Sequence, residues 1–161
     1  TQGRPKSGRG AQGYPAGPLR GRGERGMKMY AYETKYGSPE AAAVKAAGAK
    51  WNGNWKVWES PTEVPGVPVA QPDHRKVYKN ADRFYPQAFA TVKLIQALAN
   101  GPVDEEKLTE FCRKLDDGSY VGQCCLAAIE LYLAAVTAGI DTRSFWNRPA
   151  SEIEAEIEAA D

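Results

Sequence analysis

A short stretch in the first half of the chain combines lysines and tryptophans in a pattern suited to nucleic-acid binding. Lysine ammonium groups contact phosphates, and an exposed indole stacks on an unpaired base. The candidate binding residues of this stretch are Lys45, Lys50, Trp55 and Lys56. Tryptophans in so small a segment also form cores, and we expect this of Trp51 and Trp58. For Trp55, the sequence leaves open an exposed stacking face or a core position.

The first 27 residues form a second basic segment. They are rich in Gly, Arg and Pro and contain almost no large apolar side chains. Such a segment buries too little area to offset its ordering entropy, so residues 1–27 are predicted to be a disordered basic arm. An Arg-Gly-Arg-Gly run at 20–23 resembles the tails with which some proteins bind nucleic acid; a solvated linker is the alternative. The candidate binding residues of the arm are Arg4, Arg9, Arg20, Arg22 and Arg25.

The side chains best suited to catalysis or metal binding do not form a recognisable site. His74 is the only histidine and lies in a proline-rich stretch, where we expect an exposed side chain rather than a general base. Cys112, Cys124 and Cys125 lack the Cys-x-x-Cys spacing of zinc sites, and we expect them to be buried like small apolar residues. Phosphate-binding loops and nucleophile motifs are absent from the sequence. We therefore predict a non-enzymatic protein with no catalytic residues, metal or cofactor.

Charge is distributed unevenly along the 161-residue chain. The net charge is +1, made up of +6 over residues 1–29, +2 over 30–80 and −7 over 81–161. This asymmetry is typical of a protein with one polyanion-binding end and another end that faces a different partner. The three cysteines do not suggest a disulfide framework, and the sequence shows neither a signal peptide nor a membrane-length apolar run. These features favour a cytoplasmic location and no membrane partner.

The predicted fold class is α+β, with a small β-α-β-β module followed by a mostly α-helical bundle domain. Over residues 28–60, alternating aromatic residues predict a first strand, and Ser38 followed by Pro39 predicts the start of a helix. Gly48 is expected to end that helix. Asn52-Gly53 predicts a two-residue type I′ turn between two further strands.

The rest of the chain is predicted to contain a linker and an acidic helical domain. Four prolines make residues 61–80 an extended linker, and residues 81–161 form the helical domain. Its first helix is expected to run from about 81 to 100 without a break.

Three features of this helical domain are specific predictions. The third helix, beginning near Ser119, is apolar almost all round and should be central. A last short helix should begin with a capping box of Ser151 and Glu154. The side chains expected in the core include Phe89, Leu126 and Ile129.

The sequence Lys-Ala-Ala-Gly-Ala-Lys-Trp-Asn at 45–52, followed by Trp-Lys-Val-Trp at 55–58, resembles a small domain of unknown function in plasmid and phage DNA-processing proteins. That family has a strand, a helix ending in Lys-x-x-Gly-Ala-basic-Trp, and a Lys-x-Trp strand, and it is distantly similar to the HARP domain of annealing helicases. The matching positions are Lys45, Gly48, Ala49, Lys50, Trp51, Lys56 and Trp58. The resemblance covers residues 28–60 and departs from the family after Trp58, where Glu59-Ser60 replaces an apolar continuation. It implies a DNA-associated context rather than a reaction.

Together these observations predict a nucleic-acid-associated accessory protein, of phage or plasmid type, without enzymatic activity. It would bind DNA or RNA non-specifically, preferably single-stranded, through the basic arm and the Lys/Trp module. The alternative is a protein-interaction or inhibitory adaptor whose acidic domain, residues 81–161, binds a protein partner. An unrecognised enzyme is a third possibility.

Overall fold

The computed structural model describes residues 28–160, so the predicted basic arm lies outside the described residues. The fold class is α+β, as predicted: a three-stranded antiparallel sheet with one helix precedes a bundle of helices. In chain order the elements are β1 (Tyr30–Tyr32), α1 (Pro39–Ala46), β2 (Lys50–Asn52), β3 (Val57–Ser60), α2 (His74–Asp82), α3 (Pro86–Ala99), α4 (Glu105–Leu115), α5 (Tyr120–Thr137), a short 3-10 helix (Phe145–Asn147) and α6 (Ala150–Ala159).

The sheet has the order β1-β3-β2, with β3 in the centre. In its register, Tyr32 pairs with Trp58, and Trp58 pairs with Trp51 on the other side. Residues directly opposite one another point to the same face of a sheet, so these three aromatic side chains share one face. The alternate residues Ala31 and Val57 belong to the other face and are buried in the core of the helical bundle.

Helix α1 begins and ends where the sequence predicts. The Ser38 hydroxyl accepts a hydrogen bond from Ala41 N (3.1 Å), and Pro39 occupies the first turn. Gly48 takes a φ of +88°, the left-handed conformation that ends a helix.

The turn between β2 and β3 differs from the prediction. It is a four-residue loop, 53–56, and the positive φ lies at Lys56 (60°) instead of Gly53. Asn52 closes the loop, with its carbonyl oxygen accepting from Lys56 N (2.8 Å) and its Oδ1 accepting from Trp55 N (3.3 Å). This loop is two residues longer than the predicted turn, and the extra length allows the Trp55 side chain to reach the interior.

The predicted linker is only partly extended. Residues 61–73 lie along the module: Ala70 N donates to Ala31 O (2.6 Å), and Val64 N donates to the Tyr32 hydroxyl (2.8 Å). Helix α2 then begins at His74, inside the range predicted to be linker. The last of the four prolines is at position 72, and the Asp73 carboxylate caps the helix by accepting from Arg75 N (2.9 Å).

Two predicted helix boundaries are wrong. The helix expected over 81–100 is divided into α2 and α3 by a corner at which Phe84 has a φ of 62°. Pro86 begins α3, where its missing N–H costs nothing. Helix α6 has Pro149, not Ser151, at its N-cap, so the predicted capping box with Glu154 does not form.

Helix α5 is central, as predicted. Leu126 and Ile129 are buried, whereas Phe89 is 40% exposed because α3 directs Ala88 and Val92 inward instead. Within residues 28–160, α5 is also the one helix long and apolar enough to cross a membrane, and 56% of it is buried inside the protein. Burial of this extent is what a central bundle helix requires.

The sheet and the helices share their main core. Trp55 and Val57 of the module belong to the same buried cluster as Val77 of α2 and Ile129 of α5. A smaller cluster containing Tyr32 and Val44 lies between the sheet, α1 and the extended segment. The core of the β-α-β-β module is therefore completed by the helical half.

Candidate nucleic-acid interface

An open cleft of about 410 Å³ lies between α1 and the outer strand of the sheet. It is mostly apolar, and we call it the aromatic cleft. Its lining residues are Thr34, Tyr36, Gly37, Ala41, Lys45, Trp51 and Trp58. Of these, Lys45 alone carries a formal charge at neutral pH.

Two tryptophans form the floor of the aromatic cleft. Trp51 and Trp58 are paired across β2 and β3, with ring centroids 5.3 Å apart and planes tilted by 54°. Trp58 is half-buried against the smaller core, whereas Trp51, on the edge strand β2, is 51% exposed. The pair therefore offers a supported indole surface to solvent.

A cation and a third aromatic ring lie beside the tryptophans. The Lys45 Nζ is 5.6 Å from the centroid of the Trp58 ring, which places it at cation–π distance. Tyr36, in the loop between β1 and α1, is fully exposed. The following residue, Gly37, has a φ of +77°, which allows the tight turn that leads into α1. The cleft thus combines aromatic faces with one positive charge.

Trp55, a candidate stacking residue, belongs to the core. It is completely buried and packs edge-on against Tyr85, with ring centroids 5.6 Å apart. Its carbonyl oxygen accepts a hydrogen bond from Lys76 Nζ (2.9 Å). The prediction that Trp55 contacts bases is therefore wrong, and the expectation that Trp51 forms core is wrong as well. The sequence pattern contained no signal that β3 would be the central strand and β2 an edge strand of the sheet.

The three predicted lysines are all exposed, but only one reaches the aromatic cleft. Lys45 lines it. Lys50 precedes Trp51 on β2 and is paired with Glu59 on β3, so strand alternation assigns it to the opposite face. Lys56 lies in the turn. The predicted contact residues of the arm, all arginines, lie outside residues 28–160.

His74 is buried, contrary to the prediction of an exposed side chain. It is only 1% exposed, and its Nε2 lies 2.8 Å from the carbonyl oxygen of Phe145. Burial lowers the pKa of His74, and the neutral ring packs against Phe145 with centroids 4.7 Å apart. His74 shares the buried face of α2 with Val77 and Ala81, and its contact with Phe145 O joins the 3-10 helix to α2.

The cysteines are buried, as predicted. Burial raises the pKa of Cys112 and Cys125 to about 12 and that of Cys124 to about 11, so none is a thiolate at neutral pH. Over residues 28–160, no group of three or more His, Cys, Asp or Glu side chains is placed to hold a metal ion.

Comparison of the chain with protein-family models, curated proteins and solved structures finds no match. The resemblance of the segment 45–58 to the plasmid and phage module stays a prediction.

Proposed function

We propose that this protein is a non-enzymatic accessory protein, of phage or plasmid type, that binds single-stranded nucleic acid non-specifically. The observation that carries the proposal is the half-exposed Trp51, supported by Trp58 and placed beside the Lys45 ammonium group. The rings would stack on an unpaired base, while the lysine contacts the adjacent phosphate.

The chemistry of the cleft favours such a ligand over other planar or charged ones. Aromatic stacking is tolerant of sequence because every base has a π face, and those faces are accessible only when the base is unpaired. The positive charge beside Trp58 disfavours a cationic ligand, such as a methylated ammonium group, which would otherwise suit an aromatic cage. A single-stranded nucleic acid matches both the lysine and the tryptophans of the cleft, because it has an anionic backbone and accessible aromatic bases.

The distribution of charge supports the same proposal. The arm would add phosphate contacts, because residues 1–29 carry +6 whereas residues 81–161 carry −7. Phosphate contacts release counterions, so binding should decrease steeply with salt concentration. Deleting residues 1–26 should weaken binding and reduce that salt dependence.

A fluorescence-anisotropy titration with a labelled single strand at two salt concentrations tests the proposal. Trp51→Ala should lose about 1–3 kcal/mol of binding free energy, the usual contribution of one stacked base, with little change in the salt dependence. Tyr78→Ala is the matched control, because Tyr78 is a similarly exposed aromatic residue (47%) on α2 and lies outside the cleft. The absence of binding by the intact protein at low salt would contradict the proposal.

The adaptor alternative has a structural feature of its own. A groove between α5 and α6 is lined by Glu154 and Glu158 together with small residues such as Ala134. Such a groove suits a basic protein segment better than nucleic acid. If the intact protein bound no nucleic acid but retained a basic partner in a salt-sensitive complex, this second function would replace the first.

A further inference from the structure

The corner between α2 and α3 contains a phenylalanine in a conformation that favours glycine. Phe84 N donates to Ala81 O (2.9 Å), and Tyr85 N donates to Asn80 O (3.0 Å). These two hydrogen bonds form a Schellman motif at the end of α2, with Phe84 at the left-handed position (φ 62°). A side chain with a Cβ is strained there, and a bulky one is uncommon.

Burial does not compensate for this strain. The Phe84 side chain is 76% exposed, and its principal ring contact is Phe89, 5.9 Å away between centroids and itself 40% exposed. The ammonium group of Lys93 lies 5.4 Å from the centroid of the Phe89 ring. An aromatic side chain that is both strained and solvent-exposed is more readily explained by binding than by folding.

The charges around this corner differ from those of the surrounding helical half. Between residues 79 and 93 there are three basic side chains, Lys79, Arg83 and Lys93, and one acidic side chain, Asp82. All four are exposed. Residues 81–161 as a whole carry −7, so the corner is a locally basic place beside two exposed aromatic rings. Like the aromatic cleft, the corner combines exposed aromatic rings with positive charge.

The corner also adjoins the module that carries the cleft. Tyr85, the residue after Phe84, packs edge-on against Trp55, which belongs to the turn between β2 and β3. The next residue in that turn is the exposed Lys56. The cleft and the corner lie on opposite sides of the sheet, so a strand that contacts both has to pass around its edge.

We propose that Phe84, with Phe89 and Lys93, forms a second base-stacking platform for the same single strand that occupies the aromatic cleft. The inference rests on the proposed function and extends it: the bound strand runs from Trp51, past the β2–β3 turn, to the α2–α3 corner. The helical half then takes part in binding through this corner, despite its overall negative charge.

Phe84→Gly tests the inference because it should move stability and binding in opposite directions. Glycine relieves the left-handed strain, so the melting temperature should rise. Loss of the ring should weaken binding to a long single strand of about 16 nucleotides by roughly 5- to 150-fold, the equivalent of one stacked base. Binding to a short strand of about 4 nucleotides, which fills the cleft alone, should change much less. Trp51→Ala should weaken binding to both strands.

The controls separate the second platform from the cleft. Phe84→Tyr keeps an aromatic ring and should bind the long strand as the wild type does, and Tyr78→Ala should also have no effect. If Phe84→Gly binds the long strand with wild-type affinity while Trp51→Ala does not, the second platform is refuted and the cleft stands. A lower melting temperature for Phe84→Gly would show that the ring serves the fold, which also refutes the inference. If the wild type binds neither strand, both proposals are overturned and a protein partner becomes the better occupant of the corner.

Discussion

At the residue scale, Gly122 shows how closely two helices of the bundle approach. A Cβ built at this position would lie 2.0 Å from the carbonyl oxygen of Leu115 and 2.8 Å from Oδ1 of Asp117. The nearer atom belongs to the backbone at the end of α4, so it cannot move aside without shifting that helix. Glycine here permits the first turn of α5, capped by Ser119, to pack directly on the end of α4.

Gly122→Ala should therefore destabilise the protein by at least the 1–3 kcal/mol typical of overpacking. Chemical denaturation followed by circular dichroism measures the change. Gly53→Ala is a suitable control. The atom nearest to a Cβ added at position 53, at 3.3 Å, is Nε1 of the half-exposed Trp51 side chain. Equal stabilities for Gly122→Ala and wild type would mean that α4 and α5 do not approach as described.

His74 provides a prediction about pH. Burial lowers its pKa below the ordinary value of 6.5, although the negative charge of Asp73 opposes the change. As the pH falls from about 6.5 toward the folded-state pKa, the unfolded chain binds a proton that the folded protein does not. The free energy of unfolding should therefore decrease over this range. Above about pH 6.5 it should not depend on the protonation of His74.

His74→Gln isolates this effect, because the amide can still donate to Phe145 O but does not titrate. The wild type should lose stability between pH 6.5 and the lowered pKa, and the difference between wild type and variant should change over the same range. Urea denaturation at a series of pH values gives both curves. Parallel curves for the two proteins would contradict a buried neutral histidine.

At the element scale, the β2–β3 hairpin separates two tryptophans that are four residues apart. Trp55 lies under the sheet in the main core, whereas Trp51 lies on the edge strand and faces the aromatic cleft. The four-residue turn and the positive φ of Lys56 produce this difference.

Trp55→Ala should cost about 3–5 kcal/mol of folding free energy, as expected for a fully buried tryptophan. Trp51→Ala should cost less than about 1.5 kcal/mol, since it loses little beyond one aromatic pair with Trp58. Thermal denaturation of the two variants compares them directly. A larger loss for Trp51→Ala would mean that the roles of the two side chains are reversed.

Local sequence patterns predicted most of the helices and strands. The features that they did not predict depend on packing between residues far apart in the chain. Ser38, Gly48 and Ser119 act near the helix ends at which the sequence placed a start or stop, because capping depends on neighbouring residues. The exposure of Trp51 depends on strand order, which a single hairpin sequence does not contain. The burial of His74 depends similarly on a 3-10 helix about 70 residues further along the chain. The candidate site was thus predicted in its segment and in Lys45, but not in its exposed ring.

At the scale of the whole molecule, the sheet and the bundle are held together by polar contacts as well as by a shared core. Lys76 Nζ, on α2, donates to Glu33 (2.7 Å) and to the carbonyl oxygen of Trp55 (2.9 Å). The Glu59 carboxylate on β3 accepts from Tyr120 N at the start of α5 (2.8 Å). Because these contacts link the module to α2 and α5, we expect the folding of the module to depend on the helical half.

The two halves should therefore unfold in one transition. Circular dichroism at 222 nm reports mainly the helices, and tryptophan fluorescence of a Trp146→Phe variant reports only the three tryptophans of the module. The two midpoints in urea should coincide. Separate midpoints would show that the module and the bundle are independent domains.

Binding of single-stranded nucleic acid by the aromatic cleft through Trp51 can be tested with the indole N–H signals of the four tryptophans. In an NMR titration with an unlabelled single strand, the signal of Trp51 should shift strongly and that of Trp58 moderately. The signals of the buried Trp55 and of Trp146, which packs between Tyr78 and Phe145, should stay in place and serve as internal controls. An unchanged Trp51 signal at a saturating concentration of the strand would contradict the claim.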